Sequence, residues 1–192
     1  ALLTLKEIEE QVELYHNSGR FRASLRYLLS LAEEPFGFFE ELARLRREMG
    51  LHLAPSSLLG QYETLYRCGC GMEGCDPERL GYCMRFDLYA HEKARKLPDW
   101  LPGLDSPAAR QARREFFADP ALRARYLPEY AGEDPKRTER LAHLDFFPFD
   151  PVGEGGPCAY LFRYRRTGSP DGQFSAIKIE NHATVRLFRD TI

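Results

Sequence analysis

Apolar positions recur at helical spacing through the first third of the chain and alternate with polar ones near its end. Leu5, Ile8, Val12 and Tyr15 fall on one helical face. Thr4 and Glu7 form a capping-box pair ahead of them, and Asn17-Ser18-Gly19 predicts the stop. Phe21, Leu25, Leu28, Leu29 and Ala32 mark a second helix. Pro35 opens a third, with Phe36, Phe39, Leu42, Leu45 and Met49 inward and Gly50 as its end. Pro55-Ser56-Ser57 starts a fourth, which carries Leu58, Leu59, Tyr62 and Leu65. Amphipathic helices of this length are marginal alone and need a partner surface.

From Tyr82 to Tyr89 the pattern shifts to alternation. Met84, Phe86 and Leu88 would face one way and Cys83, Arg85, Asp87 and Tyr89 the other, as in a strand. Residues 91–142 are polar and punctuated by proline. Ser106-Pro107 predicts a helix lined by Ala109, Ala112, Phe116 and Phe117, and Asp119-Pro120 a short turn, while 128–140 read as an exposed loop. The end of the chain is β. Tyr160, Phe162 and Tyr164 alternate with Leu161, Arg163 and Arg165. Gly168-Ser169-Pro170-Asp171-Gly172 makes a turn, and strands are expected at Phe174–Glu180 and Thr184–Phe188.

These elements describe an α+β fold, with N-terminal helices packed on a C-terminal antiparallel sheet. The 192 residues suit a single domain over 1–192. It divides into a helical part at 1–66, a cysteine loop and strand at 67–90, an insertion or helical lid at 91–142, and antiparallel strands at 143–192.

Composition narrows the function classes. A formal charge of −2 argues against binding nucleic acid by bulk electrostatics. No apolar run approaches the roughly 20 residues that span a bilayer, so no membrane partner is expected. Five cysteines are an odd number in a chain too long to need a disulfide framework. Reduced thiols and a cytoplasmic location follow as expectations.

Four of those cysteines, Cys68, Cys70, Cys75 and Cys83, lie close together around Gly69, Gly71 and Gly74. Four thiolates can fill a tetrahedral zinc sphere, although C-x-C-x4-C-x7-C is not a standard knuckle spacing. A structural zinc ion is the candidate cofactor, with His91 able to replace one thiol. The competing reading is ordinary small thiols packed in a loop.

Other chemistry is sparser. No phosphate-binding glycine loop, nucleophile elbow or H-E-x-x-H helix is present. His143 and Asp145 can form a base with its orienter, but no nucleophile accompanies them. Asp145, Asp150, Glu154, Asp171 and Glu180, with Lys178, loosely match the carboxylate and lysine set of a metal-dependent hydrolase or nuclease. Arg110, Arg113, Arg114, Arg123, Arg125, Arg163, Arg165 and Arg166 form basic runs. With zinc they leave open a small zinc protein with a nucleic-acid role.

Two stretches resemble the SUKH (SMI1/KNR4) superfamily. Phe39-Glu-Glu-Leu-Ala-Arg-Leu-Arg-Arg-Glu-Met-Gly-Leu-His-Leu-Ala-Pro-Ser-Ser-Leu-Leu59 is similar to its helix, G-x-x-L-P turn and second helix. Phe147-Pro-Phe-Asp-Pro-Val-Gly-Glu-Gly-Gly-Pro-Cys-Ala-Tyr-Leu-Phe162 is similar to the segment that leads into its central strand. The resemblance implies helices against a twisted antiparallel sheet and a non-enzymatic binding role, since bacterial members often act as immunity proteins that neutralise a toxin. Arg163, Tyr164 and Arg165 are the candidate anchors for such a protein partner.

Overall fold

Proline opens five of the helices. Pro35, Pro77, Pro107, Pro120 and Pro135 each stand at the first helical position, where a missing N–H costs nothing and φ is already helical. A computed structural model of the chain describes residues 2–51, 57–92, 94, 96–130, 132–164 and 175–179. Among them the order is α1 (Leu2–Gln11), a π-helical turn (Val12–Asn17), α2 (Arg22–Leu31), α3 (Pro35–Glu48), α4 (Leu58–Cys70) and α5 (Pro77–His91). There follow α6 (Pro107–Ala118), α7 (Pro120–Tyr126), a 3-10 turn (Pro128–Tyr130), α8 (Pro135–Leu141), β1 (Ala142–Phe147), β2 (Cys158–Arg163) and β3 (Ser175–Ile179). The fold is α+β, with the helices N-terminal to an antiparallel sheet.

The chain divides into two compact units, Ala1–Leu88 with Lys96–Pro102, and Tyr89–Arg95 with Gly103–Ile192. In the first unit, Ile8, Tyr15, Phe21, Leu25, Leu28, Phe39, Leu42, Tyr62, Leu65, Leu80 and Met84 are buried. Phe21 sits between Tyr15 and Tyr62, with ring centroids 5.0 and 4.7 Å away. At Gly69 the helices meet closely. A Cβ there would come within 2.5 Å of Leu80 and 2.7 Å of Leu28, both fully buried.

Several expectations change here. Tyr82–Tyr89 is helical, within α5, rather than a strand. Every residue from Leu80 to Tyr89 is buried, so the alternation of polar and apolar types marks no inside and outside. The polar residues are satisfied internally: Arg85 donates from Nη1 to the Pro102 carbonyl at 3.1 Å. The start signal was Asp76-Pro77, with Asp76 Oδ1 accepting from the backbone N–H groups of Glu78 and Arg79 at 2.9 and 3.1 Å. Helix α1 already runs from Leu2, so Thr4 lies inside it rather than at its cap. On α3, Phe36 is exposed, and Phe38 is buried in the company of Phe39.

In the second unit the sheet is a meander in the order β1-β2-β3, with Leu144 opposite Leu161 and Ala159 opposite Ile179. One face, carrying Leu144, Phe146, Ala159, Leu161 and Ile179, packs on Ala109, Ala112, Phe116 and Phe117 of α6 and on Leu122 and Tyr126 of α7. The other face carries Phe147, Tyr160 and Phe162, in mutual edge and tilted ring contact, with Tyr89 stacked on His143 at 4.1 Å. The expected exposed loop at 128–140 is instead a 3-10 turn followed by α8, capped by Asp134, which accepts from the Lys136 N–H at 2.9 Å. Strand β1 alternates Ala142, Leu144 and Phe146 with His143 and Asp145, and both of its faces are largely buried. The expected strand at 184–188 lies outside the described residues.

Candidate functional site

Glu33 and Glu34 stand in the extended link between α2 and α3, which Ala32 and Glu34 hold in β-type backbone. Pro35 then turns the chain into α3, and Gly37, Phe38 and Glu41 follow on one side of it. The turn after α4 brings in Met72 and Glu73. With Leu31, Ala32 and Cys68 these residues line an open groove of about 440 Å³. Phe38 and Cys68 are buried in its floor.

The rim is acidic. Glu41 is paired with Arg44, whose guanidinium also meets Glu48. That hydrogen bond holds the Glu41 carboxyl below its usual range. Glu33, Glu34 and Glu73 are exposed and have no ion-pair partner among the described residues. The Cys68 thiol is neutral, because burial and then Glu41 push it up to about 12. No Cβ at Gly37 would meet any atom within 4 Å, so this wall of the groove is open. Phe36, 52% exposed, adds an apolar side chain on the same turn of α3. An apolar floor under uncompensated carboxylates suits a cation carried on a hydrocarbon stem, the shape of a lysine or arginine side chain.

A second cavity, about 530 Å³, is lined by Leu59, Glu63, Lys96, Asp99 and Trp100, among others, with Trp100 against Tyr66 at 4.7 Å. Its charges are mixed, so it favours no one sign of ligand.

The cysteines separate into two pairs. Cys68 and Cys83 are buried, and burial pushes both thiols up to about 12. Cys70 is exposed at the end of α4, and Cys75 is half-buried just before α5. Among the described residues no group of three or more His, Cys, Asp or Glu side chains is arranged to hold a metal ion.

Of the anchor residues, Tyr164 is buried, and Arg163 donates from Nε to Ser175 Oγ at 2.9 Å and lies 3.6 Å from Glu129. Arg165, Asp171 and Glu180 lie outside the described residues. His143 Nε2 stands 3.8 Å from Asp145 Oδ2, too far for a hydrogen bond, while Arg113 Nη2 donates to Asp145 Oδ1 at 3.0 Å. Asp150 is enclosed: Tyr160 donates to Oδ1 at 2.8 Å, the Val152 N–H at 3.1 Å, and Lys178 Nζ to Oδ2 at 2.6 Å. That network ties the connection between β1 and β2 to the sheet.

Reading the residues alone missed the groove. Its one local signal is Glu33-Glu34-Pro35-Phe36-Gly37, where two acids precede an apolar, glycine-bearing helix start. Residues 1–155 match the family model of a protein of unknown function, DUF4080. The chain belongs to that family. The match takes in every described helix and β1, and ends before β2. No curated protein and no solved structure matches the chain. No helix among the described residues is long and apolar enough to cross a membrane.

Proposed function

We propose that this member of the family is a non-enzymatic binding module, and that the groove between α2, α3 and the end of α4 docks a basic segment of a protein partner. The observation behind the reading is the combination of Phe38, Met72 and Cys68 as an apolar floor with Glu33, Glu34 and Glu73 as a rim unpaired among the described residues. Lysine or arginine stems would cover the floor while their heads meet the rim. Complementary charge of this kind raises association rate and excludes acidic competitors. A toxin, the partner class implied by the SUKH resemblance, would have to present such a segment. None of the five cysteines is in a disulfide, which suits a cytoplasmic setting, part of the proposal.

Fluorescence anisotropy with a labelled amphipathic peptide of alternating Leu and Arg tests it. The peptide should bind the wild-type chain, and its acidic counterpart should not. Glu33→Lys with Glu73→Lys should weaken binding at least about tenfold. Gly37→Leu, whose Cβ enters open space, should block the groove in a folded protein. Unchanged binding by both variants would remove the groove as the docking site.

A further inference from the structure

The turn that brings Met72 and Glu73 to the groove is bounded by Cys70 and Cys75. It is tight and hydrogen-bonded: the Gly71 N–H donates to the Cys68 carbonyl at 3.1 Å, Met72 to Gly69 at 2.9 Å, and Cys75 to Met72 at 3.3 Å. Gly74 completes it at φ 77°, a conformation that glycine adopts without strain. The second cysteine is pinned from outside, because the Asp76 N–H beside it donates to the Tyr27 hydroxyl at 2.8 Å, and Arg79 lies over the Tyr27 ring at 5.6 Å. The chain is therefore folded back so that its two accessible thiols flank one short turn.

The side chains around them agree with this placement. The Tyr66 hydroxyl interacts with Cys70 and feels Cys75 as well, and the Tyr27 hydroxyl meets Cys75. The two thiols interact with each other, the second contribution after burial to the rise of Cys75 above its ordinary value. Cys68 and Cys83 do not share this exposure.

We propose that Cys70 and Cys75 are a thiol-exchange site that closes reversibly to an intrachain disulfide across the Gly71–Gly74 turn. The oxidant is a low-molecular-weight disulfide such as glutathione disulfide. The Cys70 thiolate attacks one of its sulfurs, forming a mixed disulfide and releasing one thiolate, which takes up a proton. The Cys75 thiolate then attacks the Cys70 sulfur, forms the intrachain bond and releases the second thiol. Two cysteine thiols give up two protons and two electrons, and the oxidant takes up both. Transient bonds of this kind are the usual form of disulfide in a reducing compartment. Closure would stiffen the segment that presents Met72 and Glu73.

The test is incubation of the native chain with excess glutathione disulfide, followed by intact-mass and peptide mass spectrometry. The expected product has lost the mass of two hydrogens, is linked Cys70 to Cys75, and is restored by dithiothreitol. A Cys70→Ser chain should instead carry glutathione on Cys75 without closing. Glutathione adducts that never close, or closure onto Cys68 or Cys83, would overturn the proposal. So would one zinc ion per chain in native mass spectrometry that shields both thiols, which would favour a four-thiolate metal site. A shift in peptide affinity on oxidation rests on the docking reading, whereas the mass measurement does not, so the two fail separately.

Discussion

Two buried carboxylates have opposite pH signatures. Asp87 accepts from the Ala23 and Ser24 N–H groups at 2.9 and 2.8 Å and from Ser24 Oγ at 2.6 Å, supplying the cap that α2 lacks locally. Burial outweighs these hydrogen bonds and lifts its pKa to about 7. The raised value means that the folded chain holds this proton more tightly than the unfolded one. The Asp87 contribution is therefore complete below about pH 4 and is lost as pH rises through about 7. Urea denaturation across that window should show a decline that Asp87→Asn flattens. Asp87→Ala should destabilise by about 2–4 kcal/mol, since two helix N–H groups lose their acceptor. Asp150 behaves the other way. Burial raises it, but Lys178 and Tyr160 outweigh burial and hold it low. Its stabilisation is present above the ordinary carboxylate range and lost as pH falls through its lowered value. Asp150→Asn should thus be less stable than wild type at neutral pH, with the two curves converging in acid.

At the scale of elements, Ser106-Pro107 starts α6 as expected, whereas Asp119-Pro120, expected as a short turn, starts the helix α7. Asp119 accepts from the N–H groups of Ala121 and Leu122 at 2.8 and 3.3 Å, and Pro120 follows it as the first helical residue. Asp119→Ala should lower stability by about 1 kcal/mol, measured as a shift in denaturation midpoint. The same grammar stands at Asp76-Pro77 and Asp134-Pro135, against the alternating pattern of 82–89 and the polar composition of 128–140. Close helix contacts carried no such signal. Gly81 lies within α5, where a Cβ would stand 2.4 Å from the Pro102 ring, so Gly81→Ala should cost about 1–3 kcal/mol. Gly37→Ala, with no neighbour to strike, should be neutral or stabilising. Thermal denaturation of the two variants separates a packing requirement from mere helix propensity.

For the molecule as a whole, docking by a carboxylate rim predicts that peptide affinity falls as salt rises from about 0.05 to 0.5 M, because exposed charges are screened over a shorter length. Affinity that is indifferent to salt would place the binding energy in the apolar floor alone. By itself the sequence determined the α+β class, the helices of the first third, the helix at Pro107 and the alternation of β2 and β3. These follow from local propensity and from the period at which apolar residues recur along the chain. The start of the 77–91 helix is written at Asp76-Pro77, but only tertiary structure decided that it runs on through Tyr82–Tyr89, because residues 80–89 are buried on all sides and the burial period is erased. Tertiary structure also decided that four clustered cysteines become two buried and two accessible ones, since the helical period sends Cys68 and Cys70 to different faces of α4 and packing decides which face is covered. The groove was beyond sequence for the same reason. Glu33 and Glu73 are forty residues apart, and only the packing of α3 beside the end of α4 makes them one surface.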